Sequence, residues 1–316
     1  MKVLANDGIS ASGVQALQDG GFEVITTKVA QEQLENFINK EQIDAILVRS
    51  ATTVRRALID ACPSLKLIGR GGVGMDNIDV EYAREKGLHV INTPAASSSS
   101  VAELVFAHLF TGVRYLYDAN RNMPLEGDSK FKDLKKSYAG GSELRGKTLG
   151  VIGFGRIGQE VAKIGLGCGM KVLASDKFMD HANIKVEFFD GRAVDFSIDT
   201  IPQDELLSQS DFVTLHVPAQ KDYVIGAEQI ALMKPGAGII NAARGGVIDE
   251  VALIKALDDN KIGFAGLDTF EEEPKPAVQV LMNPKVSLTP HIGAATNEAQ
   301  DRIGTELASQ IISLLS

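Results

Sequence analysis

Short apolar runs alternate with amphipathic stretches along nearly the whole chain. Residues 2–5, 22–25, 45–48, 66–68 and 89–91 each read as a buried strand, and helical stretches begin between them near Ser10, Gln31, Arg55 and Val80. That alternation predicts a parallel, doubly wound sheet, because parallel neighbours need a crossover and a helix supplies it. A second series starts at Lys147 and continues through 171–175, 212–217, 237–241, 263–267 and 286–288. A last helix, from about Asn297 to Leu315, carries apolar positions at Ile303, Leu307, Ile311 and Leu314. The expected fold class is α/β with two doubly wound parallel-sheet domains, and no fixed-period repeat is present.

The junction between the two series begins at Asn92-Thr-Pro94 and runs through four serines, 97–100. Ser100 and Glu103 fit an S-x-x-E capping box, and Val101, Leu104, Val105, His108 and Leu109 follow at helical spacing. The reading is a hinge leading into a long helix, with His108 on its apolar face as a packed core histidine. Residues 123–144 are polar and irregular, with Gly127, Gly140 and Gly141, and too long for a routine connector. Residues 70–79 hold too much glycine for a helix. They predict a loop at the carboxyl end of the first sheet, where open α/β sheets bind ligands.

The most informative stretch is Lys147-Thr-Leu-Gly-Val-Ile-Gly153-Phe-Gly155-Arg-Ile-Gly158, a strand that meets G-x-G-x-x-G and then a helix. Gly153 permits a tight turn, Gly155 lets backbone N–H groups approach a pyrophosphate, and Gly158 lets helix and strand pack closely. The next strand ends in Asp176, and 176 − 158 = 18 residues separate that acid from the last glycine. An acid there accepts hydrogen bonds from an adenosine ribose and repels a 2′-phosphate, so the expected cofactor is NAD rather than NADP. The bland alternative is an ordinary glycine-rich turn.

Composition narrows the class. With 44% hydrophobic and 23% charged residues, the chain has the make-up of a soluble globular enzyme, and 316 residues suggest two domains. A net charge of −9 argues against general nucleic-acid binding, so an anionic substrate needs a local patch of Arg or Lys. No run approaches the roughly 18 to 20 apolar residues that span a bilayer. Asp7 falls where a signal peptide keeps its apolar core, and the chain reads as cytoplasmic. Cys62 and Cys168 form neither a disulfide framework nor a ligand cluster, and no metal is expected.

Three patterns follow strands of the second series. Arg244 stands before two glycines, Glu271-Glu272-Glu273 before Pro274, and His291 just after Pro290. Hydride transfer between a nicotinamide and a 2-hydroxy acid needs a cation to grip the carboxylate, preferably a bidentate arginine. It also needs a proton donor that works near neutral pH, which favours histidine, and a carboxylate beside it to fix the tautomer and favour the imidazolium. Each residue alone could be a surface cation, a solvated acid or a loop histidine. Together, after a dinucleotide fingerprint, they make a catalytic set.

At this point the sequence resembles the D-isomer-specific 2-hydroxyacid dehydrogenases over nearly its whole length. The residues that carry the likeness are Gly153-Phe-Gly-Arg-Ile-Gly158, Asp211-Phe-Val-Thr-Leu-His-Val-Pro218, Asn241-Ala-Ala-Arg-Gly-Gly-Val-Ile-Asp249, Leu267-Asp-Thr-Phe-Glu-Glu-Glu-Pro274 and Pro290-His-Ile-Gly-Ala294. The resemblance implies that Arg244, Glu273 and His291 are catalytic, and the spacings 273 − 244 = 29 and 291 − 273 = 18 look like that family. It implies cofactor contacts at Gly153, Gly155, Arg156, Ile157, Gly158, Asp176, Val217, Pro218, Ala242, Ala243, Arg244, Asp268, His291 and Gly293, and at Val73 from the other domain. Gly72-Val73-Gly74 matches the family's carboxylate-binding loop. The implied architecture is a flavodoxin-like substrate domain of residues 1–98 and 291–316 and a Rossmann NAD-binding domain of residues 99–290. The active site lies in the cleft between them, and the helix from Ser100 with residues 123–144 makes a homodimer arm.

Within the family, Leu47-Val-Arg49-Ser-Ala-Thr52 and Gly69-Arg70-Gly-Gly-Val-Gly-Met-Asp-Asn77 look most like the phosphoglycerate dehydrogenases. Arg49 and Arg70 would then hold a phosphate, and the reaction would convert 3-phosphoglycerate to 3-phosphohydroxypyruvate at the entry to serine biosynthesis. The rivals are an unphosphorylated acid (glyoxylate, hydroxypyruvate or lactate) and an NAD-sensing corepressor that recruits partners. The bland reading of Arg49 is an ion pair with a strand-end acid. Two departures stand out. The sequence ends at Ser316, so serine feedback through C-terminal regulatory domains is not expected. The stretch 178–200, with Phe188, Phe189 and Phe196, is longer and more aromatic than the usual family connection.

Overall fold

A computed structural model describes residues 1–316 as two compact units. Unit 1 comprises Met1–Ser100 and Ala294–Ser316, and unit 2 comprises Val101–Gly293.

In unit 1, strands β1 (Lys2–Ala5), β2 (Glu23–Ile25), β3 (Ala45–Val48), β4 (Leu67–Arg70) and β5 (His89–Asn92) alternate with helices α1 (Ala11–Asp19), α2 (Leu34–Glu41), α3 (Arg56–Ala61) and α4 (Val80–Glu85). All strand pairs are parallel in the order β2-β1-β3-β4-β5, the flavodoxin-like arrangement. One face of the sheet buries Leu4, Ile46 and Ile68 against Leu34, Ile38 and Ile59 of the crossover helices.

Unit 2 opens with α5 (Ser98–Val113), whose first residues belong to unit 1, followed by α6 (Leu116–Glu126) and α7 (Phe131–Ser137). The sheet is then built from β6 (Thr148–Ile152), α8 (Arg156–Gly167) and β7 (Lys171–Ser175). After a hairpin of β8 (His181–Glu187) and β9 (Ala193–Asp199), it continues through α9 (Gln203–Gln209), β10 (Phe212–Leu215), α10 (Ala227–Leu232) and β11 (Ala237–Asn241). It closes with α11 (Glu250–Asp258), β12 (Ile262–Leu267), α12 (Val278–Met282) and β13 (Val286–Leu288). Six strands pair in parallel, in the order β13-β12-β11-β10-β6-β7. The last helix, α13 (Asn297–Leu315), belongs to unit 1, where Ile303, Leu307 and Ile311 cover the face formed by Val3, Ala5, Leu47 and Leu67. No helix is long and apolar enough to cross a membrane.

The structure adds detail in four places. Helix α5 starts at Ser98, so Ser100 lies inside its first turn, and its hydroxyl pairs with Thr296 Oγ1 at 2.8 Å instead of forming the expected cap. Residues 123–144 are not irregular throughout. Tyr138 ties the end of α7 to α6 by donating to Asp118 (2.8 Å) and accepting from Asn122 (3.0 Å), and this side-chain pairing has no signature in local periodicity. The stretch 178–200 is the antiparallel β8–β9 hairpin, whose inward residues Ala182, Ile184 and Ile198 join the core of α8 while Phe178 and Phe189 stay exposed. An isolated parallel bridge pairs Ala174 of β7 with Thr200, just past β9. Finally, residues 291–293 group with unit 2, because Ile292 and Gly293 are hydrogen-bonded to Asp268.

At the end of β10, His216 Nε2 lies 3.0 Å from Thr214 Oγ1, while its Nδ1 is enclosed without a hydrogen-bond partner. Burial pushes this imidazole down to about 3 from its ordinary 6.5. The unfolded chain therefore takes up a proton below pH 6.5 that the native chain refuses. Stability is full above that pH and falls as pH drops toward 3, by up to about 1.4 kcal/mol per pH unit. Thermal unfolding of His216→Gln should show a shallower decline between these limits than the wild type. Some decline remains, since burial also lowers His108. Parallel curves for the two proteins would contradict the assignment.

Candidate active site

Strands β11, β12 and β13 are paired in register, with Asn241 beside Leu267 and Leu267 beside Leu288. Their carboxyl ends therefore release three loops at one level. The first carries Arg244. The Asn241 side chain closes it, accepting from the Ala243 N–H (3.0 Å) and donating to the Arg244 carbonyl (2.8 Å). A Cβ at Gly245 would lie 1.7 Å from the Phe270 carbonyl oxygen, so only glycine lets the first loop lie against the second.

The second loop presents three consecutive glutamates, which the fold treats differently. Glu271 accepts from the Glu250 N–H (2.9 Å), and Glu250 accepts from the Glu271 N–H (2.8 Å), so this pair ties the loop to the start of α11. Burial raises the Glu250 carboxyl. Glu273 instead accepts from the Phe270 N–H (3.1 Å) with Oε1, and its Oε2 meets His291 Nδ1 at 2.8 Å. A carboxylate only accepts, so His291 donates from Nδ1, and Nε2 is left as the ring atom that can exchange a proton with a substrate. His291 has a φ of 55°, a left-handed conformation uncommon outside glycine and frequent at functional sites. His291 and Glu273 are each partly exposed, at 43% and 37% of their side chains, so the pair is reachable.

At the other end of the sheet, the turn after β6 meets the requirements of a bound dinucleotide. Gly153 has a φ of 89°, and a Cβ on Gly158 would lie 2.2 Å from the Gly153 carbonyl oxygen. A Cβ on Gly155, by contrast, would meet open space, and no side chain caps the N-terminus of α8. The first N–H groups of that helix thus remain available to a phosphate. Arg156 is exposed on the first turn and Ile157 is half-buried behind it. Asp176, directly after β7, accepts from the Phe154 N–H with Oδ2 (2.6 Å) and from the Phe178 N–H with Oδ1 (2.8 Å). Both oxygens keep a lone pair for ribose hydroxyls. Val217 and Pro218 follow β10, and the buried Ala242 and Ala243 follow β11. Asp268 is buried just past β12 and holds the backbone N–H groups of Ile292 and Gly293.

In unit 1, Asp7 accepts from the Arg49 N–H (2.7 Å) and from the N–H and hydroxyl of Thr52 (3.0 and 2.7 Å). The strand-end acid next to Arg49 thus binds its backbone and not its guanidinium. Asn77 completes the clamp by donating to the carbonyls of Arg49 and Thr52. Arg70 ends β4 and donates to the Gly71 carbonyl (2.6 Å). Asn92 holds the Val73 carbonyl (2.7 Å), which leaves the Val73 side chain exposed in the Gly72-Val73-Gly74 loop. Sequence reasoning missed Asn241, Asp7 and Asn77 as organisers of these loops. Only Asn241, at the end of β11, carries a local signal, since Asn there favours a side chain-to-backbone turn; the Asp7 and Asn77 bonds join segments 25 to 45 residues apart.

Comparison with known proteins gives this geometry a family. The pattern of the D-isomer specific 2-hydroxyacid dehydrogenase, NAD binding domain, matches residues 106–293. The chain is 42% identical to the hydroxypyruvate reductase of Thermotoga maritima, across 98% of this chain and 97% of that one. It is 43% identical to the D-3-phosphoglycerate dehydrogenase of Methanocaldococcus jannaschii across its full length, but spans only 57% of that protein. Among solved structures, the D-lactate dehydrogenase of Aquifex aeolicus, complexed with NAD and lactic acid, superposes with a TM-score of 0.74 at 33% identity, covering 98% of this chain and 94% of that one. The chain therefore belongs to the D-isomer specific 2-hydroxyacid dehydrogenase family, and its second unit is that family's NAD-binding domain.

Proposed function

We propose that this protein interconverts a D-2-hydroxy acid and its 2-oxo acid with NAD, and that its substrate pair is 3-phosphoglycerate and 3-phosphohydroxypyruvate. The observation that carries the chemistry is the Glu273–His291 pair, with Nδ1 committed to the carboxylate at 2.8 Å. In the oxidative direction His291 takes the hydroxyl proton at Nε2, and Glu273 stabilises the imidazolium that results. Arg244 holds the substrate carboxylate and polarises the oxygen on C2. Bound NAD would supply the acceptor for the C2 hydride. Gly153, Gly155, Arg156, Ile157 and Gly158 would hold the pyrophosphate, Asp176 the ribose, and Val217, Pro218, Ala242, Ala243, Asp268, Gly293 and Val73 the rest of the dinucleotide.

The phosphate reading is supported by the clamped Arg49 loop, in which Asp7 serves the backbone and the guanidinium is not drawn into that acid. Gly72, Val73 and Gly74 would take the carboxylate. A second reading, reduction of hydroxypyruvate without a phosphate, is favoured by the 42% identity to the Thermotoga reductase over nearly both full lengths.

Turnover of His291→Ala should fall by roughly 10²- to 10⁴-fold, the usual share of general acid–base catalysis. Glu273→Gln should cost less, and it should cost nothing further in the His291→Ala background, because Glu273 acts through the imidazole. Additive losses in kcat would show that Glu273 works elsewhere.

A substrate panel followed at the NADH absorbance band tests the acid itself. With Arg49→Ala or Arg70→Ala, KM for 3-phosphohydroxypyruvate should rise about 10- to 100-fold, as expected for a lost charge-assisted bond of about 1.5–3 kcal/mol. KM for hydroxypyruvate should move far less. Equal losses on both substrates favour the unphosphorylated reading.

We also propose a homodimer, formed through α6 and α7, where Leu125 is 76% and Phe131 57% exposed. A mass near 33.8 kDa by light scattering at micromolar concentration would refute it.

A further inference from the structure

A buried polar chain in unit 2 lies outside the proton path described above. His108 on α5 is 2% exposed, and Asp268 is 1% exposed. His108 Nδ1 lies 2.8 Å from Ser287 Oγ, and its Nε2 lies 3.0 Å from Thr289 Oγ1. Thr289 Oγ1 is 2.6 Å from Asp268 Oδ1. Asp268 then accepts from the Ile292 N–H with Oδ1 (2.8 Å) and from the Gly293 N–H with Oδ2 (2.9 Å). The chain thus runs from a core helix to the two peptides that directly follow His291.

The direction of every proton in this chain is fixed. As a carboxylate, Asp268 only accepts, so Thr289 must give it its single hydroxyl proton. Thr289 can then only accept from His108, which requires the tautomer protonated at Nε2. His108 Nδ1 is left to accept from Ser287. Burial lowers the His108 pKa, which keeps the ring neutral and able to hold this tautomer. The strand beneath is matched to the ring. A Cβ on Gly266 would lie 2.6 Å from the Cβ of His108, so the imidazole reaches Thr289 only because β12 has no side chain there.

His291 itself sits at a φ of 55°, a conformation that persists only where its surroundings over-determine it. We propose that His108 is a positioning residue of the reaction: through Thr289 and Asp268 it locks the peptides after His291 and so aims the Nε2 of that residue. The proposal rests on the reading of His291 as the proton-transfer group. An aliphatic residue at position 108 would fill the core equally well. It would leave the Thr289 oxygen without a donor and its hydroxyl free to turn away from Asp268.

The test measures NADH oxidation with hydroxypyruvate for His108→Leu, Thr289→Val and Thr289→Ser, each alone and in the His291→Ala background. Amide hydrogen exchange at Ile292 and Gly293 is followed alongside. His108→Leu and Thr289→Val should lower kcat roughly 10- to 100-fold, the scale of a misplaced catalytic group, and speed exchange at both amides. Thr289→Ser keeps the hydroxyl and should restore most of the rate. In the His291→Ala background neither His108→Leu nor Thr289→Val should reduce the residual rate further, since no imidazole is left to aim. Should His108→Leu fail to fold, Thr289→Val carries the same comparison. Wild-type kcat in Thr289→Val, or an undiminished loss in the His291→Ala background, would overturn the proposal. Wild-type kcat in His291→Ala alone would instead remove the reading of His291, which separates the two failures.

Discussion

The site depends on the parallel, in-register pairing of β11, β12 and β13. Parallel strands all end on the same edge, so Asn241, Leu267 and Leu288 finish side by side, and whatever follows them is brought together. Arg244 comes three residues after the first strand, Asp268 one residue after the second, and His291 three residues after the third. No long-range charge attraction is needed to gather them. Burial of β11 and β12 in the apolar core sets the positions of the loop ends, and the loops need only short turns to complete the arrangement.

Those turns share one device. Asp7, Asp176, Asp268 and Glu273 all stand in loops that leave a strand; each aspartate accepts from two backbone N–H groups and Glu273 from one. A carboxylate that collects two or three N–H donors rigidifies irregular backbone where no ladder hydrogen bond is available. Each acid also keeps a face for something else: the Thr52 hydroxyl for Asp7, His291 for Glu273, Thr289 for Asp268, open lone pairs for Asp176. The N–H donors temper the negative field of these acids locally, and beside Asp176 the N–H groups at the start of α8 have no side-chain cap.

The chain matches its family over both units, and beyond β7 it carries the β8–β9 hairpin as a separate two-stranded sheet. The Ala174–Thr200 bridge links the residue after β9 to β7. The hairpin contributes Ala182, Ile184 and Ile198 to the core around α8. It thus acts as cover for a helix that also carries the Gly153–Gly158 turn at its start. The curated phosphoglycerate dehydrogenases with about 40% identity are longer, and this chain spans 57% and 54% of two of them. The Thermotoga reductase, by contrast, is matched over 97% of its own length.

How much was legible in the sequence follows from range. The strands, the last helix from Asn297 to Leu315 and the turn at Gly153 to Gly158 were readable because each depends on local periodicity or on a glycine's own backbone freedom. The family likeness singled out Glu273 among three consecutive glutamates, but nothing local to that run distinguishes them. Tertiary structure distinguished them, by giving Glu271 to Glu250 and Glu273 to His291 across 18 residues of chain. The same holds for Ser100, whose expected cap was displaced by Thr296, for the helices α6 and α7, joined through Tyr138, and for the hairpin. His108 was correctly read as a core residue from its place on an apolar face. Its hydrogen bonds to Ser287 and Thr289, 179 and 181 residues away, were decided only by folding, because a sequence window records which residues seek burial and not which polar atoms will meet there.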